Sequence, residues 1–395
     1  MKSYLPISHL ATSRGLVGGP FGSSLVGNDY ELDGIPVIRG TNLGFGKYLG
    51  GNFVYVSEEK VARDLAQNTA APGDIVFTQR GTLGQVALVG DSGSSRYVVS
   101  QSQMRLRVDA EIALAGFVYY ACSSTHFLKQ ISDNAISTGV PHINLGILGR
   151  LTIPLPSLTT QNSIAEVLGA LDDKIAANTK LAKAADALVR ARFDGLRAEA
   201  TMLIGELFEL RREPADPVRM GAHTAYVGLE HVPRRSMWLG DVGDAADVSS
   251  QKSKFEQGDI LFGKLRPYFH KVVAAPHGGV CSTDILVLMP SNREVSGFTL
   301  AAVASDAVVR SVTSASEGTR MPRTSWKDLA SVEVPWPGLA RATSFSADVS
   351  AIRDAVENEL RENRALAATR DALLPQLMSG GLRIKDAEKL LEEVV

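Results

Sequence analysis

The sequence predicts an α+β fold made by internal duplication, in which a globular domain followed by a long helical rod occurs twice. Three observations carry this expectation. First, segments recur at one offset: Ala71-Pro72-Gly73-Asp74-Ile75-Val76-Phe77 is answered by Glu256-Gln257-Gly258-Asp259-Ile260-Leu261-Phe262, and Asn178-Thr179-Lys180-Leu181 by Asn363-Arg364-Ala365-Leu366, both 185 residues later. Second, the clamp Ile153-Pro154-Leu155-Pro156 returns 181 residues later as Val334-Pro335-Trp336-Pro337. Each proline lacks an N–H and biases the residue before it toward extended backbone, so the clamp cannot lie inside a helix or a central strand and marks the end of a globular unit. Third, short β-rich runs precede each clamp and long helix-periodic runs follow it.

In chain order, residues 1–36 are rich in glycine and turn residues and read as loops flanking short strands. Strand-like runs follow at Ile35 to Ile38, Phe53 to Val56, Ile75 to Thr78, Val86 to Val89, Tyr97 to Val99 and Met104 to Val108, spaced as in a mostly antiparallel sheet. Ile112 to Ser132 reads as one helix, with Phe117, Tyr120 and Leu128 on its buried face. The first rod keeps Ile164, Leu168, Leu171, Ile175, Ala182, Ala185 and Val189 on one stripe, and the second keeps Val349, Ile352, Val356, Leu366, Leu373 and Leu377. A rod of about 40 residues is about 60 Å long and, with a single apolar stripe, is expected to lie against another helix, the competing reading being a helix docked on its own globular domain. The charges on the other faces of the first rod, Asp172, Asp173, Lys180, Lys183 and Asp186, read as solvated.

Composition narrows the function classes. A chain of 395 residues, 45% hydrophobic and 21% charged, is ordinary globular material long enough for two or three domains. No run approaches the roughly 18 apolar residues of a membrane span, and the opening MKSYLPISHL lacks the order of a signal peptide, so a cytoplasmic protein is expected. Cys122 and Cys281 are too few for a disulfide framework and read as small core residues. The formal net charge is −2. Residues 1–157, 158–200, 201–338 and 339–395 carry +1, 0, −1 and −2 in turn. A protein that coats nucleic acid through overall basicity is excluded, and DNA contact would need locally placed cations.

Catalytic motifs fail one by one. Gly258 to Lys264 fits GxxxxGK, but Leu265 stands where a magnesium-binding Ser or Thr belongs. Gly44-Phe45-Gly46 through Gly50 misses the dinucleotide fingerprint by one position and reads as a turn. The seven histidines show no HExxH spacing, and neither a Gly-x-Ser-x-Gly elbow nor the Asn-Pro-Pro-aromatic motif of amino-methyltransferases occurs. No metal site and no catalytic group is expected in this chain; it reads as a reader and a scaffold.

Polar chemistry at strand ends remains. In the first domain the candidates are Arg39, Thr41 and Asn42; Gln79, Arg80 and Thr82; then Gln101, Gln103, Thr138 and His142. In the second they are Glu230 and His231; Lys264, Arg266, Tyr268, His270 and Lys271; then Arg320, Arg323 and Lys327. Arg, Asn and Gln can make two hydrogen bonds to one base edge, and Lys and Arg contact phosphates. The competing reading of each residue is a solvated loop or a hydrogen bond within the fold.

The ordered set GIPVIRGTNL (34–43), GDIVFTQRGTLGQVALV (73–89), STGVPHIN (137–144), LTIPLP (151–156) and QNSIAEVLGALDDKI (161–175) resembles the DNA specificity subunit of type I restriction-modification systems. The resemblance implies two target-recognition domains, residues 1–157 and 201–338, each binding one part of a split double-stranded DNA site. It further implies two spacer helices, residues 158–200 and 339–395 with the C-terminal tail, packed antiparallel as a coiled-coil ruler. Two methyltransferase subunits binding S-adenosylmethionine, and restriction subunits using ATP and magnesium, are the implied partners; the chain itself is expected to hold no cofactor. The second half departs from the pattern with VPWPGLARATSFSADVSAI, and the first has Thr160-Gln161 in place of Glu-Gln. Two other classes compete with this reading: a coiled-coil adaptor without DNA specificity, and a self-contained DNA modification enzyme. In an antiparallel pair, Asn178 and Asn363 occupy equivalent mid-rod places on the apolar stripes and are expected to face each other and fix helix register.

Overall fold

The runs of Ile, Val, Phe and Tyr between turn residues form strands, and the clamps close them off. The computed structural model describes residues 3–91, 93–137, 139–216, 223–315 and 321–392. It divides into two units, Met1–Ala176 with Ala365–Val395, and Ala177–Arg364.

In the first unit one antiparallel sheet runs in the order Ala11–Gly18, Gln103–Val108, Ile75–Thr78, Val86–Leu88. A second runs Val54–Val56, Ile35–Ile38, Tyr97–Val99, Thr69–Ala70, with its central pair parallel. Two four-stranded sheets thus stand where a single mostly antiparallel one was expected, and the opening segment contributes a strand of eight residues. The expected helix from Ile112 to Ser132 is two, Ala115–Ser123 and Thr125–Asn134. Ser124 breaks it. Its backbone is extended, and its hydroxyl donates to Ala121 O and accepts the N–H of Phe127, ending one helix and capping the next.

The second unit repeats the plan. Its antiparallel sheet runs Phe208–Leu210, Ile285–Pro290, Ile260–Gly263, Val272–Ala274. Its other sheet runs Pro214–Ala215, Lys252–Phe255, Gly279–Cys281, Ala225–Val227, Gly243–Asp244, again with one parallel pair. The repeated Gly-Asp has a structural cause. Gly73 and Gly258 both take a φ of +88°, and the buried Asp74 and Asp259 each accept a backbone N–H three residues back, at 2.8 Å. Each carboxylate also holds an arginine, Arg107 at 2.7 Å and Arg211 at 2.8 Å. The proline clamps are strands of two-stranded ribbons, where a missing N–H can face away from the partner: Pro154 stands opposite Tyr4 and Pro335 opposite Thr201.

The helix after the first clamp spans Leu158–Asp194, 37 residues, and the helix after the second spans Leu339–Ser379, 41 residues. In the first unit Leu168, Leu171, Leu373 and Leu377 join Phe77, Phe117 and Phe127 in one core. In the second, Val189, Val349 and Val356 join Phe208, Phe262 and Phe298. Within that unit Asn178 meets Asn363 and Arg192 meets Asp348, so the two helices run antiparallel there. Gly380, at φ +68°, ends the second helix, and Ile384–Glu392 forms a short one beyond it. Cys122 and Cys281 are buried free thiols. Among the described residues no single helix is long and apolar enough to cross a membrane.

Two charges on the first helix are not solvated as expected. Asp172 is 6% exposed and accepts from Tyr120 and Arg370, both at 2.7 Å. Burial pushes the Tyr120 phenol well above the usual tyrosine range, so it remains a donor. Asp186, also 6% exposed, accepts the Met237 N–H at 2.8 Å and Arg190 at 3.0 Å. A carboxylate can be buried when both its oxygens meet donors, one here from the globular part (Tyr120, the Met237 N–H) and one from a long helix (Arg370, Arg190). Asp173, Lys180 and Lys183 are exposed. Replacing Asp172 by alanine is expected to destabilise the protein by about 2–4 kcal/mol, because Tyr120 and Arg370 lose a buried acceptor. Urea denaturation measures this, and a loss under about 0.5 kcal/mol would mark the carboxylate as idle.

Candidate nucleic-acid interface

In the first unit four loops converge at the same strand ends. The Gln79 N–H donates to Ser102 O at 2.7 Å, the Ile143 N–H donates to Gln79 O at 3.0 Å, and the Gly81 N–H donates to Pro141 O at 3.4 Å. Arg80 and His142 face each other as an isolated antiparallel bridge. Gly19 lets the loop after the first long strand lie against the turn at Ser100, since a Cβ there would fall 1.9 Å from Ser100 O.

The second unit builds the same frame with other side chains. The Lys264 N–H donates to Asp284 O at 2.8 Å, Thr324 N–H to Lys264 O at 3.0 Å, and Arg266 N–H to Pro322 O at 2.8 Å. Leu265 and Arg323 form the matching bridge. Gln79 is thereby answered by Lys264, Arg80 by Leu265, Gly81 by Arg266 and His142 by Arg323. Gly81 takes a φ of +102° and Arg266 a φ of +50°, so an arginine holds a left-handed position that the first copy gives to glycine.

The candidates separate by burial. Thr41, Arg80, Thr82 and Gln101 are exposed in the first unit, while Arg39, Gln79 and His142 are half-buried. Gln101 also ties a loop down, donating to Gly22 O at 2.6 Å and to Leu25 O at 3.2 Å. Asn42 lies inside the fold, fully buried. Its Oδ1 accepts the Arg39 N–H at 3.0 Å, and its Nδ2 donates to Gly50 O and Asn52 O at 3.0 and 3.1 Å. A carboxamide engaged on both ends and shut off from solvent shapes its loop and presents nothing to a base. Gln103 is likewise fully buried, against the Ser100 hydroxyl. Arg39 donates to Asn52 O at 3.3 Å, and the His142 Nδ1–H donates to Val140 O at 3.2 Å.

In the second unit Arg266, Tyr268, Arg323 and Lys327 are exposed. Arg323 pairs with Asp284. Lys264 is half-buried with its Nζ on Thr283 O at 2.5 Å, and burial, reinforced by Arg323, holds its ammonium below the usual lysine range. Lys271 donates to Leu229 O. His231 accepts the Gly228 N–H at 2.9 Å and stands edge-on to Tyr226, with Glu230 exposed beside it. His270 is 3% exposed and its Nε2–H donates to Ala304 O at 2.8 Å, so it anchors its loop from inside and does not reach a ligand. Burial also holds its pKa below the usual histidine range. Thr138 and Arg320 lie outside the described residues.

Sequence reasoning missed Arg234, Arg235 and Phe269, which pack against the loop of Arg266. The Arg234-Arg235 doublet was the signal that could have found them. On the long helices, the Asn178 Nδ2 donates to Asn363 Oδ1 at 3.0 Å and to Glu362 Oε2 at 2.6 Å, and the Asn363 Nδ2 donates to Thr179 Oγ1 at 3.4 Å. Among the described residues no group of three or more His, Cys, Asp or Glu gathers as a metal site would require.

Residues 34–185 match the sequence model of the type I restriction modification DNA specificity domain. The chain is 25% identical over 291 residues to the type I restriction enzyme EcoDI specificity subunit of Escherichia coli, covering 61% of this chain and 64% of that protein. It is 28% identical over 171 residues to the HindI specificity subunit of Haemophilus influenzae, covering 40% and 37%. The matches thus span less than two thirds of the length of these relatives. A crystal structure of the S subunit of a type I restriction-modification system from M. genitalium shares the fold, with a TM-score of 0.54 at 17% identity over 95% of this chain and 96% of that one. Residues 34–185 are therefore similar to the type I restriction modification DNA specificity domain.

Proposed function

We propose that this chain is the DNA-reading subunit of a type I restriction-modification complex. Each target-recognition domain, residues 1–157 and 201–338, reads one part of a split site. The single observation that carries this is the repeated loop frame. Three backbone hydrogen bonds and one bridge recur, while the side chains they display change from Gln79, Arg80 and His142 to Lys264, Leu265 and Arg323. One frame with two chemistries suits a target whose halves differ, because the backbone sets where side chains point and side-chain type sets which base edges they satisfy. The helical segments 158–200 and 339–395 act as spacer and ruler. Two methyltransferase subunits bring S-adenosylmethionine, and restriction subunits bring ATP and magnesium, to DNA in the cytoplasm. The chain's own part is binding and positioning, without a reaction of its own.

Near-neutral charge fits that division of labour. Phosphate attraction alone would hold any DNA, whereas a chain with a formal charge of −2 depends on placed contacts and on its partners for affinity.

Exchanging residues 1–157 for the matching domain of a relative is expected to change one half of the methylated site and leave the other half and the gap intact. Genome methylation mapping reads this out, and a change in both halves would falsify modular reading. Arg80→Ala is expected to weaken binding to the cognate duplex by about 1–3 kcal/mol while leaving random DNA nearly unchanged. Equal losses in a competition titration would make Arg80 a phosphate contact. Replacing Asn178 and Asn363 together by leucine is expected to keep or raise the melting temperature while adding methylation at sites with an altered gap. An unchanged gap would remove this pair from the ruler.

A further inference from the structure

Beside the frame of the second unit lies a strained, charged corner that the repeat does not explain. Pro267–Phe269 forms a single 3-10 turn bracketed by Arg266 and His270, whose φ angles are +50° and +53°. Arg235, at φ +54°, donates its N–H to His270 O at 2.8 Å. Three L residues thus hold left-handed backbone within one corner. Such conformations persist only where surrounding structure enforces them, and they gather at functional sites. The enforcement here is visible in the buried His270 on Ala304 O and the Arg266 N–H on Pro322 O.

This corner fixes a cation. The Arg234 guanidinium carbon lies 3.9 Å from the centroid of the Phe269 ring, and that of Arg266 lies 5.9 Å from it. Tyr268 braces the ring edge-on at 4.8 Å. Nearby cations are engaged: Arg235 with Asp306, Arg323 with Asp284, Lys271 with Leu229 O. Among the described residues Arg234 and Arg266 have no carboxylate partner, although both are exposed and share one ring. Two guanidinium groups held together without a counter-charge favour an anionic or acceptor-rich ligand.

We propose that Arg234, braced on Phe269, is a base-reading arginine of the second domain, its planar fork bonding two acceptors on one major-groove base edge, as guanine O6 and N7 present. This rests on the DNA-reading function proposed above. A phosphate contact needs only charge and is made as well by a flexible lysine, whereas a stacked guanidinium has its plane set before DNA arrives. Phe269 is a positioning residue that acts through Arg234.

The test uses the full chain assembled with its methyltransferase partner. The probes are a duplex carrying the site found by methylation mapping and a random-sequence duplex of equal length, titrated over a range of salt. Arg234→Gln and Arg234→Lys are expected to weaken binding to the site about ten- to hundredfold, to spare random DNA, and to relax one base pair in one half of the methylated site. Phe269→Leu is expected to show the same pattern more weakly, with Phe269→Trp restoring preference at that base pair. Equal losses on both duplexes, with a salt slope lower by about one, overturn the proposal in favour of a phosphate contact. No change with Arg234→Gln, an exposed residue whose loss does not threaten folding, overturns it outright. If the unaltered complex shows no preference between the duplexes, the parent reading fails, and this proposal with it.

Discussion

A carboxylate inside each unit makes the helix and the globular part depend on each other. Asp172 cannot leave water unless Tyr120 and Arg370 both reach it, and Asp186 cannot unless the Met237 N–H and Arg190 do. Removing an ion from water costs several kcal/mol, so a helix placed a turn away would take each buried charge from its globular donor, Tyr120 or the Met237 N–H. Apolar packing alone would tolerate such a shift, because one leucine fills the place of another with small loss. The buried carboxylates therefore select one placement of helix on sheet among many that bury similar area.

That placement has a consequence for the loops. The strands ending at Thr78 and Gly263 sit in sheets packed in the same cores as the helix residues. The turns that follow are tied by backbone hydrogen bonds, which do not depend on side-chain identity. Side chains on such turns can change without disturbing the frame. Duplication then permits divergence: Gly81 and Arg266 share a left-handed position, one without strain and one with it, and only the second presents a guanidinium.

Buried polar groups near these loops have the opposite role. Asn42 and His270 are of residue types that read bases, yet their hydrogen bonds run to Gly50 O, Asn52 O and Ala304 O. They hold loops in shape so that neighbours such as Thr41 and Arg266 stay outside. Residue type states what a side chain can bond; burial states whether it is available.

The sequence by itself determined the duplication, the strands around Ile75 and Ile260, the clamps and the two long helices. Each follows from chemistry acting over a few residues: side-chain periodicity, the missing proline N–H, the φ of glycine. Even the Ser124 break had a local signal in its capping hydroxyl, though apolar periodicity hid it. Tertiary structure alone decided which candidates face outward and that Asp172 and Asp186 are buried. Donors to both come from afar, since Tyr120 lies 52 and Arg370 198 residues from Asp172, and Met237 lies 51 from Asp186. The Arg234 stack on Phe269 is likewise a meeting of two separate loops. Local propensity carries no information about such meetings; they exist only once the sheets and helices have closed on one another.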